Sequence, residues 1–411
     1  MLPMDTLPDA PDAAPFGMLA GVRVLDLTTS VAGPYASQLL GDFGADVIKV
    51  ERPGHGDDAR AWGPPFLNGE SLWFLSVNRN KRSLTLDYTR PEGRAILFDL
   101  ARHADVVVVN MVQRTQDKLG ISYETLSAVK PELIVASITG FGLKGGRADL
   151  PCYDLIAEGY SGVMDLTGEP DSAPQKVGTP AADMLAGQDA ALAVCAALLE
   201  RARTGRGRKI DVSLVESMTR FMTPRVATYL GSGELPRRSG GRDSVIAVYQ
   251  VFDTADRPMT VGLGNDGIWR RFCTALGQPD WAAEPRYGSN AHRREARPEI
   301  VAGIQERLRA RPRAEWLALL AEAKVPAGPI NRLDEVAADP DLLERGLFYA
   351  LPHGADGGSC PQVNLGIHVD GAPAAPRLPP PRLGEHTRAI LGELVGCAET
   401  DLASLSAAGI I

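Results

Sequence analysis

Asp105-Val-Val-Val-Val-Asn110 places four valines in a row between two polar residues. A strand with one wet face alternates apolar and polar side chains. A run without alternation is buried on both faces, as a central strand of a helix-covered parallel sheet must be. The flanking sequence supplies the rest of such a sheet. Residues 21–28, 45–51, 83–87, 132–139 and 209–213 read as further strands. A short helix is predicted over 35–44, closed by Gly44. Another runs over 91–103 and is opened by Pro91, whose missing N–H is no loss at a first helical position. A long helix rich in Ala and Leu is predicted from about Met184 to Arg203, with Arg201, Arg203 and Gly205 as its stop signal. Strands alternating with helices make this an α/β fold with a parallel sheet.

The character of the chain changes near residue 231. Residues 231–241 are rich in Gly, Ser and Pro and read as a linker. Beyond it, 245–252 and 259–263 flank a turn at 253–258 and read as a hairpin. Helical stretches follow near 268–276, 299–309 and 313–323. The expected organisation is a disordered Pro-, Ala- and Asp-rich leader over 1–18, the first part of a large domain over 19–225, a smaller α+β domain with its linkers over 226–335, and a return to the large domain over 336–411. That last part passes through a Pro-rich stretch at 372–381 and closes with a helix near 387–394.

Composition narrows the function. Of 411 residues, 44% are hydrophobic and 23% charged, enough for a sizeable core. The net charge of -8 argues against nucleic-acid and anionic-membrane partners. The five cysteines form no CxxC pair, which disfavours zinc or dithiol chemistry and fits reduced thiols in the cytoplasm. Residues 1–16 lack the basic start and long apolar core of a secretion signal, so none is expected, and no stretch is expected to reach the ~20 apolar residues of a membrane span. The histidines show no i, i+4 pair and no Gly-x-Ser-x-Gly elbow occurs, so neither a metal site nor a serine hydrolase is expected.

Three local features remain. Gly140-Phe-Gly-Leu-Lys-Gly145 matches GxGxxG after a strand, but residues 146–151 do not start the helix that a pyrophosphate site requires. A glycine-rich loop near an active site is the better reading. The basic run 78–82 reads as solvated surface, with phosphate neutralisation as the alternative. Asp183 directly precedes the long helix. It reads as an N-cap, and the helix dipole there favours the carboxylate anion that a nucleophile must be.

Taken in order, a series of segments resembles the family III CoA-transferases. They are 21–28 with Ala32-Gly-Pro34, 40–53 with Gly56-Asp57, Asn80-Lys-Arg-Ser83, Pro91-Glu-Gly93, Ile138-Thr-Gly-Phe-Gly142, Tyr153-Asp154, Asp183, Thr204-Gly-Arg-Gly207 with Ile210-Asp211, and Pro381-Arg-Leu-Gly-Glu-His-Thr387. The resemblance implies a large Rossmann-like domain whose parallel sheet is built from both chain ends, a smaller α+β domain between them, and two subunits interlocked as a homodimer. It implies transfer of CoA between carboxylic acids through a mixed anhydride and an aspartyl-CoA thioester on Asp183. Acyl-CoA then enters as substrate, and no permanently bound cofactor or metal is expected. By the same resemblance Arg52 meets the CoA phosphates, Leu86 and Asn110 line the CoA channel, and Lys118 supplies a cationic contact. Amides near Gly140, or at Gly262 and Gly264, are candidates for the oxyanion donors that each tetrahedral intermediate needs.

The chain departs from the family after the Asp105–Asn110 strand. Relatives commonly continue with Asn-Phe/Tyr-x-Pro-Gly, whereas this chain has Asn110-Met-Val-Gln-Arg-Thr115, which makes Arg114 a candidate for a replacement contact. It also lacks the long glycine run of some formyl-CoA members. The rival on the same scaffold, an α-methylacyl-CoA racemase, uses a His-Asp pair where this chain has Tyr153-Asp154. A non-catalytic acyl-CoA binder and an NAD-dependent oxidoreductase are the remaining alternatives. Residues 57–65 resemble relatives that use succinyl-CoA and dicarboxylic acids, and Arg60 is the candidate cation for a distal carboxylate.

Overall fold

The structure is a computed structural model describing residues 2–353 and 358–411. The chain divides into two compact units. The first comprises Met1–Val163, Lys176–Gly233 and Ala337–Ile411, and the second Met164–Gln175 and Glu234–Val336. The short segment 164–175 belongs to the second unit, which the sequence reading did not anticipate. Its Gly168 carbonyl accepts the Gly240 amide at 2.9 Å, and its Asp165 pairs with Arg238 at 3.1 Å.

The first unit is built on six strands: β1 (Arg23–Asp26), β2 (Asp46–Glu51), β3 (Lys81–Thr85), β4 (Val106–Val109), β5 (Ile134–Thr139) and β6 (Lys209–Ser213). Their order is β3-β2-β1-β4-β5-β6, and every neighbouring pair is parallel. β4 and β5 are buried along their whole length, as the unbroken valine run of β4 requires. The connecting helices include α1 (Ala32–Asp42), α2 (Pro91–Arg102), α3 (Gln113–Leu119), α4 (Asp154–Ser161), α5 (Ala181–Thr204) and α6 (Leu214–Phe221). The strand order reverses between β1 and β4, and in such sheets ligands bind in the crevice beyond the carboxyl ends of the strands at that reversal.

All six strands come from residues 23–213, so the tail adds no strand to the sheet, contrary to the expectation of a sheet built from both chain ends. Pro376, Pro379, Pro380 and Pro381 offer no N–H to a ladder. The tail is instead fastened along β3. Asn80 Oδ1 accepts the Arg377 and Leu378 amides at 2.6 and 3.0 Å, and the Ser83 carbonyl accepts the His386 amide at 2.9 Å. The tail helices then bury Ile390, Leu391 and Leu402 against Leu84, Leu97 and Leu100. The leader is also ordered, which corrects the expectation for residues 2–18. Pro3–Thr6 is a 3-10 turn, the Pro8 carbonyl accepts the Ala350 amide at 2.8 Å, and buried Phe16 stacks on Phe43. One aromatic side chain with a place to bury outweighs the disorder-prone composition around it.

α5 is long and apolar enough to cross a membrane by length and composition, which the sequence reading overlooked. Its apolarity comes largely from alanine. It buries Ala182, Ala186, Ala190 and Val194, and a Cβ at Gly187 would stand 2.7 Å from the Ala32 carbonyl at the start of α1. That close approach requires glycine.

The second unit holds a three-stranded antiparallel sheet of β7 (Tyr249–Phe252), β8 (Met259–Gly262) and β9 (Ala327–Pro329), in the order β9-β8-β7. Its core gathers Trp269, Phe272, Ile300, Ile304, Trp316 and Leu320.

Candidate active site

Asp183 is not a cap. α5 begins at Ala181, three residues earlier than the cap reading requires, and Asp183 is the third residue of its first turn. Pro180 stands at the N-cap position and caps nothing. The exposed amides of a helix start need an acceptor, and it comes from 28 residues upstream. Asp154 Oδ1 accepts the Ala182 amide at 2.8 Å and the Asp183 amide at 3.3 Å. Asp154 is itself the first residue of α4.

This cap reverses the expected electrostatics. Burial raises the Asp183 carboxyl to about 7, and the neighbouring Asp154 charge adds to the rise. The positive end of the helix does not offset this, because Asp154 already occupies it. Two more groups share the neighbourhood. Burial pushes the Cys152 thiol up to about 11, helped by the charges of Asp183 and Asp154. Burial also raises Glu158, which is fully enclosed, and the Asp154 charge adds to the rise.

Gly140 belongs to the same cluster. A Cβ there would fall 2.1 Å from Cys152 Cβ, so only glycine lets the end of β5 meet the segment leading to Asp154. Its carbonyl accepts Ser213 Oγ at 3.0 Å and the Val215 amide at 3.2 Å. The following loop is fixed by Asp211, whose carboxylate takes the Leu143 amide at 3.0 and 3.2 Å. The next helix after this loop is α4, fourteen residues beyond Gly140, so the GxGxxG match carries no dinucleotide site.

A cavity of about 270 Å³ lies at the carboxyl ends of β1 to β4, where the strand order reverses. Arg52, Leu86, Tyr88, Thr29, Met111 and Leu119 are among its lining residues. Asn110 stands at the end of β4 and clamps the loop after β1, accepting the Thr29 amide at 3.2 Å and donating to its carbonyl at 2.8 Å. Lys49 donates to the Thr28 carbonyl at 2.9 Å, and Asp57 accepts the Ser30 amide at 2.9 Å. The loop is therefore held at three consecutive residues before α1 begins. Arg52 pairs with Asp58 at 2.6 Å, and both are exposed. Lys118 is exposed on α3 beside cavity-lining Leu119.

Other expected contacts are committed elsewhere. Arg60 forms a two-pronged pair with Glu51 at 2.7 and 2.8 Å, donates to the Pro381 carbonyl and lies over the Phe74 ring at 3.6 Å. A substrate carboxylate there must displace Glu51, so Arg60 is a structural cation. The basic run 78–82 is neither surface nor phosphate site: Asn78, Arg79, Asn80 and Lys81 are all buried, with Arg79 on Asp42 and Lys81 on Asp26. Gly262 gives its amide to the Pro326 carbonyl at 3.0 Å within the second unit, so that amide is no oxyanion donor. Gly264 lies in the same unit with open space where a Cβ would stand. Tyr153, 69% exposed, occupies the N-cap position of α4 next to Asp154. The sequence reading missed Cys152 and Glu158. The signal was a helix start at Pro180 with no capping side chain of its own, which calls for acidic groups from elsewhere.

A doubly wound sheet with a crevice at its reversal, in a unit that also holds a half-buried carboxyl of raised pKa, has the features of an α/β enzyme. The chain belongs to CoA-transferase family III, which it matches over residues 19–387, and it is a CoA-transferase. The succinate--glutarate CoA-transferase of Agrobacterium fabrum is 41% identical over 392 residues, covering 94% of this chain and 97% of the relative. The succinyl-CoA:glutarate CoA-transferase of Mus musculus is 39% identical over 393 residues, covering 96% and 90%. Among solved structures, a CAIB/BAIF family protein from Brucella suis superimposes with a TM-score of 0.79 at 40% identity, covering 92% of this chain and 99% of that one.

Proposed function

We propose that this chain moves CoA from an acyl-CoA donor such as succinyl-CoA to a dicarboxylic acid, through covalent intermediates on Asp183. The observation that carries the mechanism is Asp183 in the first turn of α5, its carboxyl raised to about 7 by burial and by Asp154. A carboxylate of raised basicity is a better nucleophile when ionised. The choice of a dicarboxylate rests on the names of the relatives, which act on succinate and glutarate or their CoA esters.

In the first step an Asp183 oxygen attacks the thioester carbonyl. The C–S bond breaks, CoA leaves as thiolate, and a mixed anhydride remains. The thiolate then attacks the aspartyl carbonyl, the anhydride C–O bond breaks, and the donor acid leaves as its carboxylate. Asp183 now carries CoA as a thioester. The acceptor carboxylate repeats the sequence in reverse and departs as the new acyl-CoA. Each anhydride is exposed to hydrolysis, so water must be kept from the site during both halves. Arg52 and Lys118 are suited to the CoA phosphates, and Leu86 to the apolar wall of the channel. Leu192 and Leu199 of α5 and Phe221 of α6 are exposed, which supports a homodimer that covers them. The cysteines of the described residues are all free, in keeping with a cytoplasmic setting.

The test is incubation with succinyl-CoA and a panel of other acyl-CoAs, followed by borohydride reduction and peptide mass spectrometry. Donor-dependent modification of Asp183 is expected. Clean CoA binding without modification by any donor overturns Asp183 as the covalent nucleophile.

A further inference from the structure

Residues 177–183 deliver the nucleophile, and α4 holds this segment at both ends. At one end Asp154 accepts the Ala182 and Asp183 amides at 2.8 and 3.3 Å. At the other, Glu158 Oε2 accepts the Val177 amide at 2.8 Å. Asp154 and Glu158 are four residues apart on one helix, the spacing that places side chains one above the other. Glu158 is fully buried, and its Oε1 meets no donor from the protein. On the same helix face the Asp154 carboxyl is close enough to act on Glu158 both by its charge and as a hydrogen-bond partner. Two ionised carboxylates in this position repel each other, and a buried acceptor without a donor is destabilising. A proton on Glu158 removes both penalties, since it donates to Asp154 and leaves Oε2 to accept Val177. Asp154 is the member that stays ionised, because it already accepts two amides at the positive end of α5.

We propose that Glu158 is a positioning residue for the transfer reaction: the neutral, hydrogen-donating half of a carboxyl pair with Asp154, which through Asp154 fixes the first turn of α5 and the direction of the Asp183 carboxylate. This rests on the reading of Asp183 as the nucleophile. The charged groups around Glu158 are Asp154 on its own helix, Lys176 on the segment it holds and, beyond Asp154, Asp183 on α5. From α6, which packs on α4, Arg220 is engaged by Asp189 and Glu216 is exposed. Burial holds the Glu158 carboxyl above its usual range, in the same direction as the geometry.

The test compares Glu158→Gln with Glu158→Leu in the full-length enzyme. The glutamine keeps the shape, donates an N–H to Asp154 and accepts from Val177. It is expected to retain kcat within about threefold and to keep the acid limb of the wild-type pH profile. The leucine removes both contacts. It is expected to lower kcat about 10- to 100-fold with KM for acyl-CoA nearly unchanged, and to slow the trapping of Asp183 in parallel. A leucine variant whose folded fraction transfers at the wild-type kcat, whatever its melting temperature, overturns the positioning role. A glutamine variant whose acid limb moves down by about a pH unit or more shows that Glu158 was ionised, and overturns the shared proton. If the wild-type enzyme is not modified at Asp183, the nucleophile reading falls and this inference falls with it. Modification of the wild type with an unimpaired leucine variant removes this inference alone.

Discussion

Two sets of charges are withdrawn from water in the first unit, and they are arranged in opposite ways. Beneath the loop after β1, Asp26, Lys49, Asp57 and Lys81 are fully buried and of balanced sign. Lys49 meets Asp57 at 2.7 Å and Lys81 meets Asp26 at 3.0 Å. Lys81 also donates to the Pro34 carbonyl and to Asn78, and Asp26 accepts from Ser37 at 2.6 Å. Burial alone would raise the Asp26 carboxyl, but Lys81, Lys49 and the Ser37 and Thr28 hydroxyls hold it far below its usual range. Burial brings Lys81 down to about 8 against the pull of Asp26. At the head of α5 the charges are of one sign. Among the described residues no ion pair joins Asp154, Glu158 or Asp183, and burial and Asp154 raise Asp183 where pairing lowers Asp26. The paired set holds a loop still. The unpaired set keeps a carboxyl group near its point of ionisation at neutral pH, which is where a reacting group is useful.

The difference is broken most completely at Asp183 itself. Asp183→Asn is expected to lower CoA transfer by about three orders of magnitude or more, because no covalent intermediate forms, while CoA binding stays near the wild-type level. Initial rates with isothermal titration of CoA separate the two. Loss of binding and rate together marks Asp183 as a structural residue.

In the paired set the large effect is on stability. Lys49→Met leaves Asp57 buried without its cation, and a broken buried pair costs roughly 3–5 kcal/mol. Guanidinium unfolding should show the midpoint moving down with little change in slope. A shift no larger than that of an exposed pair such as Arg52 and Asp58 means that water reaches Asp57.

How much of this was legible in the sequence follows the range of the interactions. The valine run of β4 announces its burial on both faces, so the centre of the sheet could be read locally. Asp183 could be singled out because a helix start is local. The partners were not legible. Arg79 and Lys81 sit in a run that looks solvated, and their acids lie 37 and 55 residues away. The cap on α5 comes from 28 residues upstream, so the local dipole argument gave the wrong direction for the Asp183 carboxyl. Arg60 looked free for substrate until Glu51 and Phe74 were placed around it.

The raised Asp183 carboxyl also predicts the pH profile. In the free enzyme the nucleophile is ionised only above about 7, so kcat/KM should fall close to tenfold per pH unit below that point and level off above it. Rates from pH 5 to 9 with a donor that does not titrate in this range give the midpoint. A midpoint near 4 leaves Asp183 at the ordinary carboxyl value and removes the contrast.

The smallest effect concerns stability at the same residue. The Asp183 carboxyl has an ordinary value of 3.8 and about 7 in the folded chain. Between these values the folded protein binds a proton that the unfolded chain has released, so stability falls as pH rises from about 4 to about 7 and is level above. Asparagine has no such proton. Asp183→Asn should therefore match the wild type near pH 4 and exceed it above pH 7, by about 1–2 kcal/mol once partial exposure is allowed for. Urea unfolding of both proteins at pH 4.5 and 8 measures the difference. A gain that grows with pH marks a charge held for reaction at the expense of the fold. Equal stability at both values means that the folded chain solvates the Asp183 anion as well as water does.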